Sequence, residues 1–297
     1  MDHTSRRFKI VDTIYIIMMI LPLVAGMILN LLTKPAGEGI SISGARIFFT
    51  IPMPIQDFPI TESQVNSLLV IITIFFFCLY MTHGLSQHIK LKRQHFAELI
   101  VEKVDGLVND NMGEFFKGYS PFIIAMLALS ALSSLISLLG LYPPTSDINI
   151  VGGWAILVFI LITYYKMKCG PLYYLKGFTE PVSLLAPINF ISEFATPISM
   201  SFRHYGNILS GSVISVLLGS ALAGLSSMLL GALPGFLGDI PLFRIGIPAV
   251  LSIYFDVFSG CLQAFIFAML TMMNISGAFP MDEWEKRKQK RLSKNKK

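Results

Sequence analysis

Residues 197–224 read PISMSFRHYGNILSGSVISVLLGSALAG, an apolar run long enough to cross a bilayer and carrying a single permanent charge, Arg203. An arginine at membrane depth costs about 2.5–3.5 kcal/mol on insertion scales. Guanidinium cannot escape that cost by deprotonating. Such a charge is usually held by an anionic partner or a wet pathway. On a helix, Thr196, Ser199, Arg203, Gly206, Asn207 and Ser210 recur at i, i+3, i+4 and i+7 spacing. They form one small, polar stripe with one positive charge. Small residues let another helix approach closely, so the stripe suits a partner that presents a carboxylate.

The rest of the chain shares the same apolar solvent. Hydrophobic residues are 54% of 297 and charged ones 14%, against about 25% in soluble domains. Mean hydropathy is +0.66. The expected fold is an all-α polytopic membrane protein with six passes, near 12–32, 62–85, 118–141, 150–168, 187–232 and 245–277. The last two are too long to stand upright at about 20 residues per span, so they should be tilted, bent or near-horizontal. No stretch between passes is long enough for a separate soluble domain.

Lysine and arginine set the expected orientation. Segments 1–11, 86–117, 166–186 and 278–297 hold 19 of the 23. The opposite segments hold Lys34, Arg46 and Arg244, and Arg203 is the remaining one. By the positive-inside rule both termini are cytoplasmic. The net charge of +5 therefore reflects topology. The tail KRKQKRLSKNKK reads as a solvated segment near anionic lipid, not a nucleic-acid site. Arg6, Arg7 and Lys9 precede the first pass as in a signal peptide, but its apolar core from Ile14 to Leu32 is longer than an ordinary h-region. An uncleaved anchor is expected.

Three cysteines, Cys78, Cys169 and Cys261, form no CxxC pair, so neither disulfides nor a metal site is expected. In QHFAELIVEKVDGLVNDNM (94–112), Phe96, Leu99, Ile100, Val104, Leu107 and Val108 recur at helical spacing. This amphipathic helix should lie on the cytoplasmic membrane surface as a strut. The sixth pass carries a stripe of its own: Asp256, Ser259 and Gln263, with Asn274 further on. A carboxylic acid in a membrane can release and regain protons, and a static Arg203–Asp256 salt bridge is the competing reading.

PINFISEFATPISMSFRHYGNILSG resembles the signature of subunit a of F-type ATP synthases, which has an arginine in a stretch like S-F-R-L-F-G-N. PPTSDIN (143–149) is similar to the family's P-T-A-D-L-N element, and LQAFIFAMLT (262–271) to its last-helix motif. ITESQVNS and FAELIVEKVD are also similar to bacterial members. The matches run in order from about residue 60 to 277. The resemblance implies an ion-translocation subunit, not catalytic by itself and without cofactor or metal, in a bacterial plasma membrane. It implies residues 61–297 as the ion-channel unit and 1–60 as an added anchor and outside loop. It implies a c-ring facing the last two passes, peripheral-stalk b subunits and two half-channels carrying H⁺, with Na⁺ as the other candidate. Carried over by motif, Arg203 separates the half-channels, Asn207 and Gln263 are its polar neighbours, and Asp147 and Asn149 belong to the outer loop element.

The chain departs from the pattern. His204 and Tyr205 replace Leu-Phe after the arginine. Ser212 stands where many members have Glu, and Asp256 where some have His. The outer half-channel's acid is thus read as moved from the fifth pass to the sixth. His204 points about 100° away from Arg203, which favours packing or an interface over a proton relay. Glu193 is either a liner of the inner half-channel or a helix-dipole partner. Two other classes remain: a secondary transporter for an anionic solute, without support from an internal repeat, and a membrane-embedded enzyme. The five scattered histidines and the lack of HExxH or GxSxG count against the last.

Overall fold

The computed structural model describes residues 3–33, 44–54, 56–86, 92–179, 183–230, 246, 250–251 and 253–294. Among these, six helical stretches are long and apolar enough to cross a membrane: Phe8–Thr33, Glu62–Thr82, Glu114–Leu139, Ile148–Met167, Ala186–Leu229 and Ile253–Ala278. The expected passes are all present. Residues 231–232 of the fifth and 245, 247–249 and 252 of the sixth lie outside the described residues.

α1 (His3–Thr33) lies along α2 (Glu62–Thr82). The approach is close: a methyl group on Gly26 would come within 2.7 Å of Leu69. Asp12 pairs with Arg93 and His83, each at 2.8 Å. At the other end Asn30 donates to the Gly140 carbonyl at 2.7 Å and accepts from Arg46. The first span is therefore tied to the bundle at both ends. Ile14, Ile17, Leu21 and Ile28 remain exposed, as befits a lipid-facing helix.

Between the first two spans is a ribbon that the sequence reading did not anticipate. β1 (Ile47–Ile51) runs antiparallel to β2 (Phe58–Thr61), with a bulge between Ile47 and Phe49. IFFTI is rich in β-branched and aromatic residues, but five residues between polar turns give too short an alternation to stand out. β2 runs directly into α2. The buried Glu62 starts that helix, bonded through its N–H to the Arg46 carbonyl and through its carboxylate to the Arg46 guanidinium at 2.8 Å.

The core forms where α3 (Lys92–Met112), α4 (Ser120–Leu135), α5 (Ile148–Met167) and α8 (Gly260–Ala278) meet. α8 touches α3, α4, α5 and α7 (Ala186–Leu230). Val108, Phe116, Ile123, Val158, Phe267 and Met272 are almost wholly buried there. The amphipathic helix α3 is present but divided in role. Val104, Leu107 and Val108 pack on the core, while Phe96, Leu99 and Ile100 are exposed.

A short helix α6 (Pro171–Thr179) precedes α7, and α9 (Met281–Lys294) follows α8. α7 is one helix of 45 residues, about 68 Å long at 1.5 Å per residue. That is twice the bilayer's hydrocarbon thickness of about 30 Å, so α7 cannot stand upright. Pro187 sits in its first turn, where no N–H is needed. Pro197 is internal and leaves the Glu193 carbonyl without its helical donor. The sixth span opens with a π-helical stretch, Ile253–Ser259, that continues into α8.

Candidate functional site

α7 and the π-helical stretch cross in antiparallel register, fixed by two contacts. Asn207 Nδ2 donates to Ser259 Oγ at 2.8 Å, and Ser259 Oγ lies 2.9 Å from Asn207 Oδ1. One turn along, a methyl group on Gly211 would lie 3.0–3.1 Å from the Phe255 side chain. A side chain there would press on Phe255, which would have to give by a few tenths of an ångström, so glycine favours this close approach. On the other side of the sixth span, a methyl group on Gly260 would meet Ser134 at 2.9 Å. The span is thus wedged between α7 and α4 at two successive glycine contacts.

Arg203 is one turn from Asn207 on α7 and is exposed. It makes no hydrogen bond or ion pair among the described residues. Ser199 and Ser210 are exposed on either side of it, and space around Gly206 is open. Ser199, Arg203 and Ser210 thus share an exposed face, while Asn207 of the same stripe turns to the sixth span and Thr196 to the cavity beside Glu193. No ion pair joins Arg203 to Asp256, which removes the static salt bridge. Asp256 is half-buried in the π-helical stretch, a helix form frequent at functional sites. Ser212 is exposed, its hydroxyl returned to its own helix at the Leu209 carbonyl. Because the two elements run antiparallel, Ser212 and Asp256 lie one residue to opposite sides of the Gly211–Phe255 contact, both close to the same crossing. Gln263 is buried one turn into α8, beyond Ser259 on the same stripe.

His204 faces the other way. It is fully buried, edge-on to Trp154 and Phe267, with Nε2 3.3 Å from Ser130 Oγ. Its Nδ1 has no partner among the described residues. From Ser130 a polar seam runs along α4. Ser134 Oγ donates to the Ser130 carbonyl at 3.2 Å and lies 3.3 Å from Thr145 Oγ1. Sequence reasoning missed this seam. Its signal was the spacing of Ser130, Ser134 and Ser137 on one face of an apolar helix.

At the loop before α5, Asp147 caps the helix by accepting from Asn149 N–H at 2.9 Å, and also accepts from the buried Ser63 hydroxyl. Asn149 contributes its backbone, and its side chain is exposed. Asn66 donates to the Tyr142 carbonyl at 2.8 Å. Burial pushes the Tyr142 phenol up, and the charges of Asp147 and Glu62 and the nearby Tyr205 add to the shift.

Glu193 sits at the opposite end of the bundle from Asp147. Its Oε2 accepts from Lys166 at 2.5 Å, while Oε1 is buried without a partner among the described residues. Eight residues into α7, it is past the first turn where a helix dipole acts, so the dipole reading falls. Glu193 instead lines a cavity of about 520 Å³ with Lys166, Tyr174, Asn189, Thr196 and Asn274. Burial, followed by the adjacent Glu193 carboxylate, pushes the Tyr174 phenol up. Asn274 also reaches Met200 Sδ at 3.6 Å. Lys166 as the partner of Glu193 was not visible in the sequence, because 27 residues, including the short helix α6, separate them.

Among the described residues no three His, Cys, Asp or Glu side chains gather to hold a metal ion. Comparison with known proteins matches residues 65–276 to the family described as ATP synthase A chain. The chain is 34% identical over 231 residues to the ATP synthase subunit a of Priestia megaterium, covering 73% of this chain and 92% of that protein. It is 29% identical over 268 residues to a protein of Propionigenium modestum named ATP synthase subunit a, sodium ion specific, covering 80% and 86%. A Bacillus pumilus ATP synthase subunit a is 33% identical over 199 residues, 62% of this chain and 78% of its own length.

Proposed function

The chain belongs to the ATP synthase A chain family and is a multi-pass bacterial membrane protein, and from that premise we propose that it carries H⁺ to and from a rotating ring of c subunits. The ring faces the exposed stripe of α7. Arg203 stands between two half-channels, stabilises each ionised ring carboxylate as it passes, and repels a proton attempting to cross directly. The observation that carries this reading is Arg203 itself, a permanent cation in the middle of an apolar helix, exposed and without a partner among the described residues. A cation at that depth needs a counter-charge, and the small residues around it leave room for a helix to supply one.

The inner half-channel is the Glu193 cavity. The outer one enters near Asp147 and reaches Asp256 beside Asn207 and Gln263, with Ser212 in the position many relatives fill with an acid. Residues 61–297 form the ion-channel unit, and 1–60 add an anchor. Peripheral-stalk b subunits hold the unit against the ring, and both termini face the cytoplasm of the plasma membrane. The pairing of Arg203 with a ring carboxylate must be transient, since a deep well would stall rotation.

The test is ATP-driven ion pumping in vesicles carrying the whole complex, with and without Na⁺. H⁺ pumping independent of Na⁺, abolished by Arg203→Ala with the complex still assembled, is the expected result. Pumping that requires Na⁺ assigns the ion seen in the name of the Propionigenium relative. Undiminished pumping in the Ala variant overturns the role of Arg203. Uptake of an anionic solute by the purified chain alone would favour a transporter instead.

A further inference from the structure

A second polar concavity lies where two spans end, away from Arg203. α5 finishes at Met167 and α8 at Ala278, and α9 departs from Met281. Between them is a pocket of about 420 Å³ lined by Met167, Lys168, Cys169, Trp284, Arg287 and Lys288, with Gly170 at its edge. Its lining has three cations and no acid among the described residues. Glu283, one turn before Arg287, is engaged by its Nε at 2.9 Å.

The cations are held in place. Arg287 Nη1 donates to the Cys169 carbonyl, which anchors the guanidinium at the pocket that it lines. Gly170 at φ +104° turns the chain beneath it, a conformation that a side chain would strain. Lys168 Nζ lies 5.1–5.5 Å from the rings of Phe115, Tyr165 and Phe279. Lys288 Nζ is 5.1 Å from the Trp284 ring.

Depth and surroundings identify the ligand. Both spans end at this level, where headgroups begin, and tryptophan and tyrosine favour that interface. Ile156, Ile160, Tyr164 and Met167 are exposed at i, i+4, i+8 and i+11 on α5. They make an apolar track leading away from Lys168 along the span, suited to an acyl chain. A cationic pocket above an apolar track matches an anionic amphiphile, and basic pockets between spans bind such headgroups. We propose that Lys168, Arg287 and Lys288 bind the phosphate of an anionic membrane phospholipid whose acyl chain lies along α5.

The test uses the full chain purified in neutral detergent, with Trp154→Phe leaving Trp284 as its fluorescent reporter. Dioctanoyl phosphatidylglycerol should change Trp284 emission saturably, and dioctanoyl phosphatidylcholine should not. Lys288→Gln should weaken the phosphatidylglycerol response about fivefold, the effect of one cation near an anionic headgroup. Lys288→Arg should retain it. Lys117→Gln, an equal charge change outside the pocket, should leave it unaltered. Inorganic phosphate at the same concentrations should neither bind nor compete. Competition by phosphate would show a free-anion site and overturn the lipid. So would equal binding of phosphatidylcholine, or equal affinity in Lys288→Gln. Because the readout is binding by this chain alone, none of these results depends on ion pumping.

Discussion

Asn207 on α7 and Ser259 on the sixth span bond reciprocally, at 2.8 and 2.9 Å, one turn from Arg203. This contact sets the register in which α7 and the sixth span cross. Hydrogen bonds between membrane helices average about 0.6 kcal/mol and reach about 1.7 kcal/mol in double-mutant cycles. The reciprocal pair should fall toward the upper figure. Asn207→Ala and Ser259→Ala should each destabilise the detergent-purified protein, and the double variant should cost no more than the worse single one. A cycle with zero coupling energy would mean that the crossing is held by Gly211 and Phe255 alone.

His204 should act through packing. It is enclosed by Trp154, Phe267 and Ser130, on the side of α7 away from the exposed stripe. His204→Ala should leave a cavity and cost about 2–4 kcal/mol in unfolding. His204→Gln, which can still bond Ser130, should recover part of that loss. The pH profile of proton flux should be the same in wild type and His204→Gln. A profile that loses a step near neutrality, the range in which histidine ordinarily titrates, would make His204 a relay through the Ser130–Ser134 seam.

The Lys166–Glu193 pair tests the inner cavity. Glu193 is largely shielded and Lys166 half-buried, so removing the lysine alone strands a charge and is costlier than removing both partners. Lys166→Met should therefore lower the amount of assembled protein, and adding Glu193→Gln should restore it. If Glu193 exchanges protons on the inner route, Glu193→Gln alone should assemble yet slow flux at least tenfold. Normal flux in that variant would reduce Glu193 to a partner for Lys166.

Much of this was legible in the sequence, and the pattern of what was not has a physical basis. Six passes follow from hydropathy because lipid imposes one simple requirement on every span. The Arg203 stripe was readable because a helix fixes which residues share a face. Ser199, Arg203 and Ser210 of it are exposed, whereas Asn207 bonds the sixth span and Thr196 lines a cavity. Two short features were hidden. The β1–β2 ribbon is held by one ladder too brief for a periodic signal. The π-helical stretch around Asp256 changes the residue spacing by one per turn, which no hydropathy pattern records. Pairings across the bundle, such as Lys166 with Glu193 and Ser63 with Asp147, depend on which helices become neighbours. Span order alone does not determine that.

Asp256 and Ser212 carry the most specific expectation. They flank the same crossing on touching elements, one residue to opposite sides of the Gly211–Phe255 contact. Moving an acid from one to the other therefore changes its helix while keeping it near that crossing. On the proposed mechanism Asp256 takes up protons from the outer side and passes them to the ring. Asp256→Asn keeps size and hydrogen bonding but cannot exchange a proton, so flux should fall at least tenfold. Ser212→Ala should have little effect, since a hydroxyl does not titrate in this pH range and this one bonds only its own helix at Leu209. Ser212→Glu in the Asp256→Asn background should restore part of the flux, because Ser212 is exposed beside the same crossing. Flux measured in vesicles stripped of the soluble ATPase compares all three variants directly. Normal conduction in Asp256→Asn would make that residue structural and move the outer route to Asp147 and the Thr145–Ser134–Ser130 seam. Failure of Ser212→Glu to rescue, with Asp256→Asn inactive, would show that the acid must sit in the π-helical stretch and not merely near the crossing.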